Sequence, residues 1–127
     1  MDLRERFEAF LTVLPDELAY GEEDPGSVLD RYYVPGFEYH NDGITLDRQR
    51  LIDHVRPVRR NLVSSRIEVG DVLVGEDRAS ARYTVHSVLR KGKVLTLEVY
   101  LFAAFAPDGR VSRVDSITRL VEESGNA

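Results

Sequence analysis

Apolar residues recur at helical spacing through the first half of the chain and at every second position through the last sixty residues. Leu3, Phe7, Phe10, Leu14 and Leu18, with Leu11 alongside, trace one face of an amphipathic helix that Pro15 should end or kink. Asp24 followed by Pro25 reads as an N-cap and a first helical residue. Val28, Leu29 and Tyr32 give this short second helix its apolar side, and Pro35-Gly36 stops it. Phe37 to Asn41 alternates as a short strand, after which Thr45 or Asp47 caps a third helix carrying Leu51, Val55, Val58 and Leu62, kinked or interrupted by Pro57. From Arg66 onward the pattern is that of strands. Around Gly70 the alternation slips from Ile67 and Val69 to Val72 and Val74, the mark of a bulge that curves a sheet. Glu122 to Ala127 reads as a frayed tail.

The turns set the register of the later strands. In Ala106-Pro107-Asp108-Gly109-Arg110, Pro presets φ at the first turn position, Asp suits the second and Gly supplies a left-handed residue, so a three-residue hairpin loop is expected. Pairing Ala106 with Arg110 puts Phe102 opposite Val114, Tyr100 opposite Ser116 and Glu98 opposite Thr118. Leu89-Arg90-Lys91-Gly92-Lys93 reads the same way. It places Arg82, Thr84, His86 and Val88 on the face of Thr96, Glu98, Tyr100 and Phe102, leaving Tyr83, Val85, Leu97, Val99 and Leu101 on the other. A two-residue Lys91-Gly92 turn would instead shift the pairing by one and swap the faces.

Composition narrows the class. A chain of 127 residues, 43% hydrophobic, is long enough to bury one core, and we read residues 1–127 as a single domain. The absence of cysteine removes disulfides, thiolate nucleophiles and cysteine zinc sites. Three scattered His residues lack the HxH or HxxxH spacing of a metal site. No GxGxxG, GKS/GKT or GxSxG is present, so no cofactor is expected. A net charge of -5 disfavours nucleic acid and anionic membrane as partners. Without a signal-like or membrane-length apolar run, the default expectation is a cytoplasmic protein.

The element order gives an α+β class with three N-terminal helices. Arg31-Tyr32-Tyr33 with Pro35, then Phe37-Glu38-Tyr39-His40-Asn41, the helix beginning Leu46-Asp47-Arg48 and the ending Phe105-Ala106-Pro107-Asp108-Gly109-Arg110-Val111 together resemble the nuclear transport factor 2-like superfamily, and especially its SnoaL-like, polyketide cyclase-like branch. The resemblance spans nearly the whole chain. It implies a cystatin-like cone in which a strongly curved mixed or antiparallel sheet wraps the helices on its concave side. It also implies a small-molecule pocket in the mouth and a homodimer through the outer sheet face. On that basis the polar strand face is expected to line the cone and the Val/Leu/Tyr face to form the dimer seam. Tyr39-x-Asn41 looks like the water-holding pair of limonene-type epoxide hydrolases. The Arg-x-Asp of those enzymes looks like Arg82-x-Thr84, and their last Asp like Ser116, so both acids are missing. Ketosteroid isomerases carry an Asp base where this chain has Asn41.

The candidate site follows from that face. His86 and Glu98, opposite or diagonal on neighbouring strands, form a candidate acid/base couple, since a carboxylate raises and orients an imidazole; a structural ion pair or a dimer contact is the alternative. Tyr100 is placed to donate to a developing oxyanion. Tyr39, Asn41, Arg82, Thr84, Phe102, Ser116 and Thr118 complete the expected substrate-binding set. His40 reads as a rim or surface residue. His54, with Asp53, Arg56, Arg59 and Arg60, reads as a solvated helix face or an anion-holding cluster. Two function classes remain. One is a cofactor-independent cyclase, dehydratase or isomerase acting on an apolar oxygenated metabolite, and the other a non-catalytic ligand-binding or dimerising module.

Overall fold

The computed structural model describes residues 2–125. Helix α1 (Leu3–Tyr20) starts where the Asp2 carboxylate accepts the Glu5 amide at 2.8 Å, and α2 (Pro25–Tyr32) starts with Asp24 accepting from Ser27 at 3.0 Å. Of the two caps considered for α3 (Arg48–Asn61), Asp47 is the one used, accepting from Arg50 at 2.8 Å. Pro15 and Pro57 lie inside α1 and α3 and end neither helix. The last turn of α1 is held from outside instead. Arg59 donates to the Leu18 carbonyl at 2.8 Å and to the Glu23 carbonyl at 2.8 Å, and the Gly21 amide takes the Glu17 carbonyl at 3.1 Å.

The strands are β1 (Tyr33–Asn41), β2 (Ile44–Thr45), β3 (Leu62–Val74), β4 (Arg78–Leu89), β5 (Val94–Phe105) and β6 (Val111–Ser124). They form one sheet in the order β2-β1-β6-β5-β4-β3, with β1 parallel to β6 and every other pair antiparallel. The first strand therefore begins four residues earlier than its alternation suggested, and β6 continues through Glu122–Ser124; Asn126 and Ala127 of the expected tail lie outside the described residues. The bulge read at Gly70 is present, as a register shift between Val69 and Val72.

Helices α1 and α2 bury Phe7, Phe10, Leu11, Leu14, Val28 and Leu29 against Leu101, Ala103, Phe105, Val111 and Val114 of the sheet. This settles which sheet face turns inward. Covering a face with apolar helices gains free energy only if that face is apolar too, and Ala79, Ala81, Val99 and Leu101 are buried while Tyr83 and Val85 pack against them.

Two sequence expectations are corrected here. The β4–β5 pairing is the one the five-residue turn specified, with Thr84 opposite Glu98 and His86 opposite Thr96. The polar face it creates, however, is the outer face of the sheet, and the Val/Leu/Tyr face expected at a dimer seam is the core. On β6 the hairpin closes as expected, the Ala106 amide donating to the Arg110 carbonyl at 2.8 Å with Gly109 at φ 88°. A further bulge at Ser112 then changes the phase. Phe105 pairs with Val111 but Ala104 with Arg113, so Tyr100 faces Ile117 and Leu101 faces Ser116.

Candidate functional site

The bulge at Ser112 divides the expected site residues between the two sides of the sheet. Tyr39, Asn41, Ser116 and Thr118 lie on the inner side. β1 runs parallel to β6 with Tyr39 beside Val114 and Asn41 beside Ser116. Asn41 Oδ1 accepts from Ser116 Oγ at 2.9 Å and Thr118 Oγ1 at 3.2 Å, and the Thr118 amide donates to Asp42 Oδ1 at 2.9 Å. The first three form a closed polar cluster two residues along the strands from the Tyr39–Val114 pair.

Arg82, Thr84, His86, Glu98, Tyr100 and Phe102 point the other way. His86 Nε2 lies 3.3 Å from Glu68 Oε1, and Arg82 Nη2 lies 2.7 Å from Asp71 Oδ2. Glu98 accepts from the Tyr100 hydroxyl at 3.0 Å and from Arg119 at 3.1 Å. Those bonds, Tyr100 first, hold its carboxyl below the usual carboxylate range, and Arg66 followed by His86 does the same to Glu68. Phe102 is 67% exposed. His86 and Glu98 are thus not a couple. Each is paired with other groups on the convex face, away from the hollow of the cone.

The hollow itself holds a different set of side chains. Between the second half of α1, α3 and the inner sheet face is a cavity of about 360 Å³, walled by Phe10, Leu11, Leu14, Leu29, Val55, Val58, Val85 and Leu101. Its polar lining consists of Tyr33, Tyr39 and Tyr83 with Ser65, and of Asp16 and His54, which are exposed. Tyr33 packs edge-on to Phe10 with ring centroids 5.5 Å apart and lies 6.4 Å from the Tyr39 ring. Burial is the main cause raising all three phenols above their ordinary value, reinforced at Tyr33 and Tyr83 by the neighbouring Tyr39; a Ser116 hydrogen bond partly offsets the rise at Tyr39. They are therefore un-ionised hydrogen-bond donors at neutral pH.

Sequence reasoning missed Tyr33, Ser65, Tyr83, Asp16 and His54 as lining groups. The signal for His54 was available: positions 51, 54 and 58 are spaced i, i+3, i+7, which places it on the same stripe as Leu51 and Val58 rather than on the solvated side with Arg56 and Arg60.

Above pH 10 this arrangement has a measurable consequence. Tyr33, Tyr39 and Tyr83 stay protonated while the unfolded chain ionises; Tyr32, less buried, is pushed up to about 12 by burial and its hydrogen bond to Glu17. The native state then binds more protons than the unfolded state. The stabilisation these groups confer is complete below the ordinary tyrosine value and is lost as pH rises from there through their folded values, by about 1.4 kcal/mol per pH unit for each fully protected phenol. Ultraviolet titration should show three of the six tyrosines, Tyr33, Tyr39 and Tyr83, ionising only as the protein unfolds. Ionisation of all six near pH 10 with the fold intact would contradict the buried placement.

Known proteins share this architecture. A SnoaL-like polyketide cyclase from Agrobacterium tumefaciens superposes with a TM-score of 0.66 at 15% identity, covering 96% of this chain and 93% of that one. An LEH-like epoxide hydrolase from M. tuberculosis superposes with a TM-score of 0.69 at 14% identity, over 92% of this chain and 82% of that one. An uncharacterized protein of Schizosaccharomyces pombe is 27% identical over 96 residues, 76% of this chain and 72% of that protein. The SnoaL-like domain model matches residues 5–114, and the chain belongs to the SnoaL-like family.

Proposed function

We propose that the cone cavity binds an apolar, oxygenated small molecule and that the chain performs cofactor-independent acid/base chemistry on it, of cyclase, dehydratase or isomerase type. The observation that carries this reading is the convergence of apolar walls, protonated phenols and one imidazole on a single cavity. Tyr39 and Tyr83 donate to a substrate oxygen and stabilise negative charge developing there. His54, where the cavity meets solvent, removes a proton from the carbon next to a carbonyl and returns one to the product. Neighbours described as a polyketide cyclase and an epoxide hydrolase support the small-molecule part of the reading. Epoxide hydrolysis by the limonene-type route is disfavoured, because Arg82 points outward and Thr84 and Ser116 stand where acids are needed.

A second reading, binding without turnover, is favoured by one observation. The inner polar groups are all un-ionised hydroxyls, and the lining carboxylate and imidazole are both exposed. The test needs no knowledge of the natural substrate. In deuterium oxide, the enzyme reading expects exchange of the α-protons of a bound cyclic ketone well above the buffer rate. Binding without exchange supports the second reading, and absence of binding across phenols, ketones and enones removes both.

A further inference from the structure

We infer that the cavity takes an uncharged one- or two-ring molecule whose acceptor oxygen meets the Tyr39 and Tyr83 hydroxyls, and that four-ring compounds are excluded. The inference rests on the pocket reading above and adds a size and a charge to it.

Size comes from the volume. A dry apolar cavity of about 150 Å³ holds benzene, or about 25 Å³ per carbon, so 360 Å³ accommodates roughly fourteen non-hydrogen atoms. That is two fused rings with a few substituents. A bare skeleton of four fused rings exceeds it by about a fifth to a quarter on that scale, and androstenedione, with its methyl groups and two oxygens, by nearly half. The inner wall has no slack to enlarge the space, since Leu29, Leu101 and Leu11 are 1%, 2% and 2% exposed and belong to the packed core.

Charge comes from what the lining lacks. Tyr33, Tyr39, Tyr83 and Ser65 are its inner polar groups, and the one carboxylate and one imidazole of the lining, Asp16 and His54, lie at its exposed end instead. The nearby guanidinium of Arg59 is committed to the carbonyls of Leu18 and Glu23. A carboxylate or ammonium carried to the inner end, beside the phenols, would be desolvated without a counter-ion, whereas a ketone or ether oxygen there receives phenol hydrogen bonds. Asp16 and His54 are the lining groups exposed to water, so any further polar substituent belongs at that end.

Three probes of the intact protein test this, read through the methyl signals of Val55, Val85 and Leu101 by NMR: tetralone, naphthoate and androstenedione. Tetralone should shift all three signals and bind at least about tenfold more tightly than naphthoate, and androstenedione should leave them unmoved. Tyr39→Phe combined with Tyr83→Phe should weaken tetralone about tenfold. Androstenedione shifting the same methyls as strongly as tetralone would overturn the size limit while leaving the pocket reading intact. Naphthoate binding as tightly as tetralone would overturn neutrality, and unchanged affinity in the double variant would overturn the assigned orientation. Silence from all three probes would overturn the pocket reading itself.

Discussion

Phe7→Ala is expected to lower unfolding stability by about 3–5 kcal/mol, the range for emptying a large aromatic site in a packed core. Phe7 is fully buried, stacks on Phe10 with centroids 6.5 Å apart and meets Phe105 edge-on at 6.0 Å, so it joins α1 to β5. Two aromatic neighbours, fixed on two different elements, cannot collapse into the vacated space, which places the loss toward the upper end. The matched control is Phe102→Ala. That ring is 67% exposed on the convex face, and its removal should change stability by no more than about 0.5 kcal/mol. Urea unfolding followed by circular dichroism gives both values, with an unchanged slope expected for each. Equal losses at the two positions would mean that the inner and outer faces of β5 have been interchanged.

That contrast marks where the sequence was legible and where it was not. The three helices, the Asp24 cap and both hairpin turns were readable because local chemistry determines them: Asp24-Pro25 starts a helix and Gly109 takes a left-handed conformation wherever the chain goes next. The bulge at Gly70 announced itself by a slip in alternation beside a glycine. The bulge at Ser112 is the same device without the glycine. Its trace was Val111 and Val114, buried to 1% and 0% though three positions apart, where simple alternation expects even spacing. Overlooking it moved Ser116 and Thr118 onto the face of Glu98 and Tyr100. The choice of inner face failed for a different reason. It followed an expectation about what a pocket should contain, whereas the free energy of covering a sheet with Phe7, Leu11 and Leu14 demands the apolar side. The parallel pairing of β1 with β6 joins residues some seventy-five positions apart, and no local signal encodes it.

His54→Ala is expected to lower the rate of α-proton exchange in a bound ketone by about 10², the lower end of what a positioned general base contributes, while affinity for the ketone stays within about threefold. The split follows from location. The imidazole lines the cavity where it opens to water, whereas the walls that hold an apolar ligand, Leu101, Val55 and Val85 among them, are untouched by the substitution. His86→Ala and Glu98→Gln should each leave the rate within about twofold, because both groups lie on the convex face with partners there: His86 is engaged with Glu68, and Glu98 with Tyr100 and Arg119. Measuring the three variants on one substrate separates two geometries of the same strands. A rate that fell with His86 or Glu98 and survived loss of His54 would require the reacting atoms to sit against the outer face. The cavity would then be a packing defect rather than a site.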